Sequence, residues 1–288
     1  MSHWAEKDYE FLTKQLGLTL ERRYEDKMTR GEVISLISRS LKASIELLRK
    51  EMKENIPPVV EQPPSSQNDM IEYIGKGKYY VMKASPERLN IKVFPKTGID
   101  IAKVTDKHSV NGTFYTSDST GATSPTTPLI YNGTLTRWAS CHGKPQSCII
   151  INKDNTVEFR KINNISELNT RNIKHLLSGV GLVNKLDPNF RYNPASEGFT
   201  GKYWDPLRET YKTIIGYRKS ENKLYLIATD KMLHSSLEKY DVLDVCKELN
   251  LDFAISLDGG GSTYMKFNGQ YKIKGSSSRY IHNILTLE

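Results

Sequence analysis

The stretch "ISLDGGGSTYMKFNG", residues 255–269, places one carboxylate and three glycines directly after an apolar run. The run "FAISLD" predicts a buried strand that ends at Asp258. Three successive glycines are costly, because glycine loses more backbone entropy on folding than any other residue. Such a turn can adopt positive φ angles and expose successive N–H groups that bind an anion. We therefore predict a phosphate-binding turn, with a plain glycine-rich hairpin as the alternative. Its members are Gly259, Gly260, Gly261, Ser262 and Thr263.

Short β-rich runs separated by turn residues precede this stretch and predict three hairpins. They are residues 78–95, residues 147–162 with a turn at Asp154–Asn155, and residues 212–230 with a turn at Glu221–Asn222. Residues 236–251 carry apolar side chains at helical spacing and predict an amphipathic helix. The expected class is α+β: a hairpin-rich mixed β-sheet domain with packed helices, preceded by a small helical N-terminal segment.

The N-terminal part differs from the rest in its pattern of apolar residues and in its proline content. Residues 1–53 show apolar residues at three- and four-residue spacing, which predicts two helices, and residues 54–69 contain four prolines and predict a linker. Residues 3–41 resemble one repeat of the S-layer-homology type, through "WA" at 4–5, "GL" at 17–18 and the helix start "TRGE". The alternative is a helical pair that forms a homo-oligomer or contacts a neighbouring subunit. Residues 70–288 form the remaining domain.

The charge of the chain favours an anionic partner. The formal net charge is +8 and the pI is near 9.1, which suits a nucleic acid, an anionic cell-wall polymer or a phosphorylated sugar. The basic residues are scattered and are not interleaved with aromatic ones, so we predict no nucleic-acid partner. No apolar run reaches the roughly 20 residues that a membrane-spanning helix needs, and the first residues lack the pattern of a secretory signal.

The cysteines do not predict a metal site. Cys141, His142 and Cys148 could be three zinc ligands, but no fourth ligand is evident nearby. A loop with free thiols or a local disulfide is the preferred interpretation. Cys246 lies at helical spacing with leucines and is expected in the core.

Four further segments, together with the glycine turn, resemble the phosphodiester glycosidase family over residues 72–288. They are "HSVNGTFYT" (108–116), "LLSGVGLVNKL" (176–186), "YKTIIGYRKSENKLYLIATD" (211–230) and "SSSRYIHNIL" (276–285), with "DFAISLDGGGSTYM" (252–265) as the signature. One departure is Lys212, where the family usually has arginine. Lysine binds phosphate as a point charge, whereas arginine forms a bidentate fork.

The resemblance implies hydrolysis of the bond between the anomeric carbon of a sugar and a phosphodiester oxygen. It implies that Asp258, Asp230 and Asn111 are catalytic, with the asparagine hydrogen-bonded to the sugar. Asp230 could instead be a helix or turn cap. The remaining substrate-binding candidates are the phosphate-neutralising Lys212 and Arg279 and the proton shuttles His108 and His282, although a lone histidine is more often structural.

No cofactor is predicted, although a divalent cation could bind at Asp258, since hard cations favour carboxylate and phosphate oxygens. The expected partner is a sugar phosphodiester or an anionic cell-wall glycopolymer such as teichoic acid, with no membrane contact. Residues 1–53 could contact a second copy or virion neighbours. The expected location is a virion or the extracellular cell-wall surface, reached without a signal peptide, and otherwise the cytoplasm. The alternative function is a non-catalytic sugar-phosphate binding module of a phage tail or cell surface.

Overall fold

The computed structural model describes residues 70–138, 143–201, 204, 208–232, 241–276 and 279–288. The chain separates into two units, residues 1–66 and 67–288, and all described residues belong to the second. The predictions for residues 1–53 and 54–69, for Cys141 and His142, and for the first part of the 236–251 helix lie outside the described residues.

The described residues form nineteen strands and one α-helix, α1 (Val242–Glu248). The strands are β1 (Glu72–Gly75), β2 (Tyr79–Ala84), β3 (Leu89–Val93), β4 (Ile99–Asp100), β5 (Ser109–Asn111), β6 (Tyr115–Ser117), β7 (Thr123–Pro125), β8 (Leu129–Tyr131), β9 (Thr134–Arg137), β10 (Gln146–Asn152), β11 (Val157–Ile162), β12 (Ile173–Asn184), β13 (Thr210–Arg218), β14 (Lys223–Met232), β15 (Phe253–Ser256), β16 (Tyr264–Phe267), β17 (Gln270–Lys274), β18 (Tyr280–Ile281) and β19 (Asn283–Leu287).

Two sheets dominate the domain. A ten-stranded sheet has the order β1-β2-β14-β13-β15-β12-β10-β11, with β8 and β9 attached beside β12. A five-stranded sheet has the order β17-β16-β5-β19-β3, and β18-β4 and β6-β7 form two small ribbons. The signature strand β15 lies in the middle of the large sheet, between β12 and β13.

The large sheet is buried on both faces, as the alternation along β14 shows. Leu226 contributes to the core that the five-stranded sheet completes with Val110. Ile227 points to the opposite face and joins a second core with Val245 of α1. The two sheets therefore cover one another, and α1 covers part of the outer face.

The predicted α+β class is wrong. Every strand pair among the described residues is antiparallel, and their one α-helix has seven residues, so the domain is an antiparallel β structure and not a mixed sheet with packed helices. The second sheet supplies much of the burial that the prediction assigned to helices. Within the described part of residues 236–251, the helix itself is confirmed, with Cys246 buried in the core.

Two of the three predicted hairpins are confirmed. Strands β10 and β11 pair around Asn155 (φ 65°), and β13 and β14 pair around Asn222 (φ 50°), so asparagine takes the left-handed position in both turns. The hairpin predicted for residues 78–95 is wrong, because β2 pairs with β1 and β14 whereas β3 pairs with β19. A single 3-10 turn, Pro86–Arg88, carries the chain from one sheet to the other.

No helix among the described residues has the length and apolar character needed to cross a membrane.

Candidate active site

A cavity of about 330 Å³ opens where β15 ends. Its described lining includes one carboxylate, Asp258, and two members of the glycine turn, Gly259 and Gly260. It also contains cationic and aromatic side chains: Arg208, Lys212, Arg279, Phe114, Tyr115, Trp204 and Tyr211. The site therefore combines one acidic group with three cations and four rings.

Asp258 is fixed through its backbone. Its N–H donates to the carbonyl oxygen of Gly112 (3.2 Å), and its own carbonyl oxygen accepts from Nδ2 of Asn111 (2.6 Å). The carboxylate atom Oδ1 accepts from the N–H of Gly259 (3.0 Å), whereas Oδ2 is buried and has no hydrogen-bond partner among the described residues. Burial raises the pKa of Asp258 from 3.8 to about 6, against the opposing effects of Ser262, Arg279 and the Gly259 N–H.

Asn111 lies behind the cavity wall and is 1% exposed. Its Nδ2 is used by Asp258, while its Oδ1 accepts from the Thr213 hydroxyl (2.5 Å) and from the N–H of Tyr264 (3.3 Å). The side chain thus joins β5 and β13 to the ends of β15 and β16. Asn111 is absent from the described cavity lining, and its Nδ2 positions Asp258 through the backbone carbonyl.

The surroundings and the backbone angles of the turn require glycine at two of its positions. A Cβ atom on Gly259 would lie 2.7 Å from the carbonyl oxygen of Tyr211, and Gly260 has φ +62°. The turn's hydrogen bonds run from the N–H groups of Ser262 and Thr263 to the carbonyl oxygens of Gly259 and Gly260. Within the described part of the chain, the N–H groups of Gly260 and Gly261 donate to no backbone carbonyl.

The two hydroxyl residues of the turn are buried and are absent from the described cavity lining. Ser262 is buried and its hydroxyl accepts from Nε of Arg279 (3.2 Å). Thr263 is also buried, and its hydroxyl lies 3.4 Å from that of Thr213. Both side chains support the site from behind.

Lys212 and Arg279 both face the cavity. The Lys212 side chain is buried, and its Nζ donates to the carbonyl oxygen of Thr210 (2.9 Å). Burial, with a smaller contribution from Arg208, lowers the pKa of Lys212 to about 7. Arg279 is exposed, and its guanidinium carbon lies 5.7 Å from the ring centroid of Tyr115.

Sequence reasoning missed Arg208 and the aromatic lining. Arg208, Thr210, Tyr211 and Lys212 all line the cavity, so the start of β13 and the residues just before it contribute together. The available signal was the charge of Arg208, three residues before the segment that begins at Tyr211. The aromatic residues come from segments far apart in the chain, and no local pattern connects them.

Besides Asn111, Gly261, Ser262 and Thr263, three more predicted site residues are absent from the described cavity lining: Asp230, His108 and His282. Asp230 is exposed on β14, and its Oδ1 accepts from the N–H of Lys231 (2.7 Å). The His108 ring packs edge-on against Phe267, with centroids 4.9 Å apart. His282 is buried with Nδ1 3.0 Å from the Thr123 hydroxyl, and burial lowers its pKa to about 4.

The described cysteines are absent from the cavity lining. Cys148 is a free, buried thiol on β10, and Cys141 lies outside the described residues. Among the described residues, no group of three or more His, Cys, Asp and Glu side chains is placed to hold a metal ion. A cation at Asp258 would meet three cationic side chains and no second carboxylate in the described lining.

Comparisons with known proteins point to one family. The sequence profile of the phosphodiester glycosidases matches residues 107–288. The fold is similar to the catalytic domain of zebrafish N-acetylglucosamine-1-phosphodiester alpha-N-acetylglucosaminidase in a form auto-inhibited by its pro-peptide, with TM-score 0.54 and 19% identity over 78% of this chain and 85% of that one.

A second similar structure comes from Burkholderia pseudomallei K96243 and bears the name of an exported protein. Its TM-score is 0.53 at 14% identity, over 73% of each chain. At these identities the likeness to solved structures shows the fold alone. The comparison with curated proteins gave no match.

Proposed function

Because the chain belongs to the phosphodiester glycosidase family, we propose that it hydrolyses the bond between a sugar's anomeric carbon and a phosphodiester oxygen. The observation that carries the proposal is the arrangement of Asp258 beside Arg208, Lys212 and Arg279 around one cavity. A glycosyl phosphodiester presents a reacting carbon that becomes positive and a departing group that is negative. The site offers the negative Asp258 carboxylate to the carbon and the three cationic side chains to the phosphate.

In the proposed reaction, a water molecule attacks the anomeric carbon and gives its proton to the Asp258 carboxylate. The bond from that carbon to the phosphate oxygen breaks, and its electron pair leaves with the phosphate. The products are the free sugar and a phosphate monoester. Lys212, Arg279 and Arg208 stabilise the charge that develops on the phosphate, and the aromatic side chains pack against the sugar.

A single carboxylate is sufficient for this leaving group. Glycosidases commonly use a second carboxyl group to protonate a departing alkoxide. A phosphate departs as a stable anion and needs charge stabilisation instead of a proton. This explains how Asp230 can lie outside the described cavity lining while the site keeps the chemistry that we propose.

We further propose that the natural substrate is an anionic cell-wall glycopolymer such as teichoic acid. The net charge of +8 supports this by favouring a polyanionic partner. Action at a cell wall or on a virion, with attachment through residues 1–53, is part of the same proposal. The similar structure from Burkholderia pseudomallei belongs to a protein named as exported, which suits a location outside the cell.

The second candidate function is a non-catalytic sugar-phosphate receptor. It is favoured by the presence of only one carboxylate in the described lining, where a two-carboxylate glycosidase would have two. A receptor would keep the cations and rings and would bind the same compounds without breaking them.

Release of free sugar from the methyl phosphodiester of N-acetylglucosamine 1-phosphate tests the two candidates. We expect the parent to release sugar and Asp258→Asn to bind this compound with turnover lowered by orders of magnitude. Asp230→Asn is the matched control and should retain turnover, because its side chain lies outside the described lining. A parent that binds in calorimetry but never releases sugar would establish the receptor function.

A further inference from the structure

Two exposed tyrosines lie on β17 and β18, in segments that contact the cavity-lining residues Tyr115 and Arg279 through the backbone. Among the described residues, five large hydrophobic side chains are exposed, and they include Tyr271 (38%) and Tyr280 (50%). Single exposed apolar residues are normal on a protein surface, but neighbouring ones often mark a binding surface. Their position relative to the cavity therefore decides whether they matter.

Backbone hydrogen bonds connect both tyrosines to the cavity-lining Arg279. The Tyr271 hydroxyl donates to the carbonyl oxygen of Ile101 (2.5 Å), and the N–H of Ile101 donates to the carbonyl oxygen of Arg279 (2.9 Å). Tyr280 follows Arg279 directly and pairs with Asp100 on β4. Both tyrosines thus belong to segments that are joined through the backbone to Arg279, which lines the cavity.

The charge beside these rings is mainly positive. Nζ of Lys274 lies 4.8 Å from the ring centroid of Tyr271. Lys274 ends β17, and the next residue, Gly275, donates its N–H to the carbonyl oxygen of Thr263 behind the glycine turn (2.6 Å). The acidic neighbour, Asp100, uses its carboxylate to accept from the N–H of Ala102 (2.9 Å).

We propose that Tyr271, Lys274 and Tyr280 form an outer subsite that binds the next sugar-phosphate repeat of a polymeric substrate. The inference rests on the proposed function and extends it by assigning a polymer, not a small glycoside, as the substrate class. Tyrosine rings bury the C–H faces of a sugar ring, and the Lys274 ammonium attracts the phosphate that links two repeats. Arg279 connects the outer subsite to the cavity, where one phosphodiester is cleaved.

The chemistry of the surface favours this occupant. The surface combines two aromatic rings with the cations Lys274 and Arg279, as a sugar-phosphate chain combines apolar ring faces with phosphates. A purely apolar partner would desolvate both cations without supplying an anion. A polymer that follows the surface pairs both cations and packs on both rings.

The test compares two substrates of the same sugar. One is the methyl phosphodiester of N-acetylglucosamine 1-phosphate, which reaches only the cavity, and the other is a short linear oligomer of N-acetylglucosamine 1-phosphate. In Tyr280→Ala the ratio of kcat/KM for the oligomer to that for the methyl diester should fall about tenfold, because one aromatic contact is worth up to about 1.5 kcal/mol. Tyr280→Trp should preserve the ratio, and Leu186→Ala, an exposed control (56%), should not change it.

The outcomes are decisive in both directions. An unchanged ratio in Tyr280→Ala, or an equal loss on both substrates, would overturn the outer subsite. If the parent hydrolyses neither compound, the proposed function fails, but calorimetry still tests the subsite. Weaker oligomer binding by Tyr280→Ala than by the parent would then support it, whereas equal binding or none would overturn it.

Discussion

At the scale of single residues, Asp258 is held in an environment that opposes its ionisation. Its pKa in the folded protein is about 6, above the ordinary 3.8, because burial outweighs the neighbouring donors. The folded state therefore binds more protons than the unfolded state between these values, and stability falls as the pH rises through them. The cost of the ionised carboxylate is fully present above about pH 6.

Asp258→Asn should therefore stabilise the fold at neutral pH. A pKa rise from 3.8 to about 6 corresponds to up to about 3 kcal/mol in the free energy of unfolding. Asparagine can still accept from the Gly259 N–H, so the gain should approach that value at pH 7.5 and largely disappear near pH 4. Urea unfolding at the two pH values measures it. An equal gain at both would mean that ionisation of Asp258 is not the cause.

Lys212 should set the alkaline limit of activity. Its pKa of about 7 means that the cation facing the phosphate is lost as the pH rises through neutrality, while Asp258 loses its base form as the pH falls through about 6. The profile of kcat/KM should be a narrow bell with its maximum between these values. In Lys212→Arg the acid limb should remain and the alkaline limb should move to higher pH, because a guanidinium stays protonated. An alkaline limb that does not move would assign it to another group.

The sequence located part of this site because part of it is local. Asp258 and its glycines are consecutive in the sequence, and Arg279 can be identified as a cation from its residue type alone. Asn111 was identified as a site residue, but its contacts with Asp258 and Thr213 depend on three strands meeting, so its position behind the wall could not be read from "VNG". Asp230 lies two residues before the end of β14, whereas Asp258 lies two residues after the end of β15, and a register shift between Thr210 and Lys212 occurs in the pairing beside Asp230.

Among the elements, the glycine turn can be tested with a matched pair of variants. The pair distinguishes an effect on substrate binding from the general cost of placing alanine at a positive φ angle. Gly260 (φ +62°) and Gly269 (φ +77°) both occupy the left-handed region, so alanine should cost each on the order of 1 kcal/mol of stability. Only Gly260 lines the cavity, where the new Cβ would lie 3.2 Å from the Thr210 hydroxyl oxygen. Nothing lies within 4 Å of a Cβ on Gly269.

We expect Gly260→Ala to raise KM for the methyl phosphodiester, whereas Gly269→Ala should lower only the melting temperature. Thermal unfolding and steady-state kinetics on both variants measure the difference. If both lose stability and neither changes KM, the turn is a structural feature and does not contact the phosphate.

The strand pairs that the sequence could predict are those joined by a hairpin turn. A hairpin is specified by its turn, and Asn155 and Asn222 supply the left-handed residue that each turn needs. The pairing of β2 with β14 or of β3 with β19 joins residues more than a hundred positions apart, and no local pattern encodes it. The proximity of 78–85 to 88–95 in sequence therefore suggested a pairing that the fold does not use.

At the scale of the whole molecule, the site lies where the two sheets meet. Asn283 of β19 is packed so closely on Gly112, next to β5, that a Cβ there would lie 1.6 Å from its Oδ1. The carbonyl of Gly112 in turn holds the N–H of Asp258 at the end of β15. The five-stranded sheet thus fixes the carboxylate that the ten-stranded sheet presents, and stability and activity of residues 67–288 should be inseparable from this junction.

Residues 67–288 should consequently fold and hydrolyse the methyl phosphodiester without the N-terminal unit. All four cores of the described residues lie within this range, and the family match begins at residue 107. A chain that begins at Lys76 is the contrasting variant. It lacks β1 and with it the stacking of Tyr73 on Phe267 (centroids 4.7 Å apart), so it should melt at a lower temperature.

Thermal unfolding, release of free sugar and sedimentation with cell walls measure folding, catalysis and attachment separately. A chain of residues 67–288 that is folded but inactive on the small substrate would show that residues 1–66 complete the site, whereas activity with loss of sedimentation would assign them to attachment.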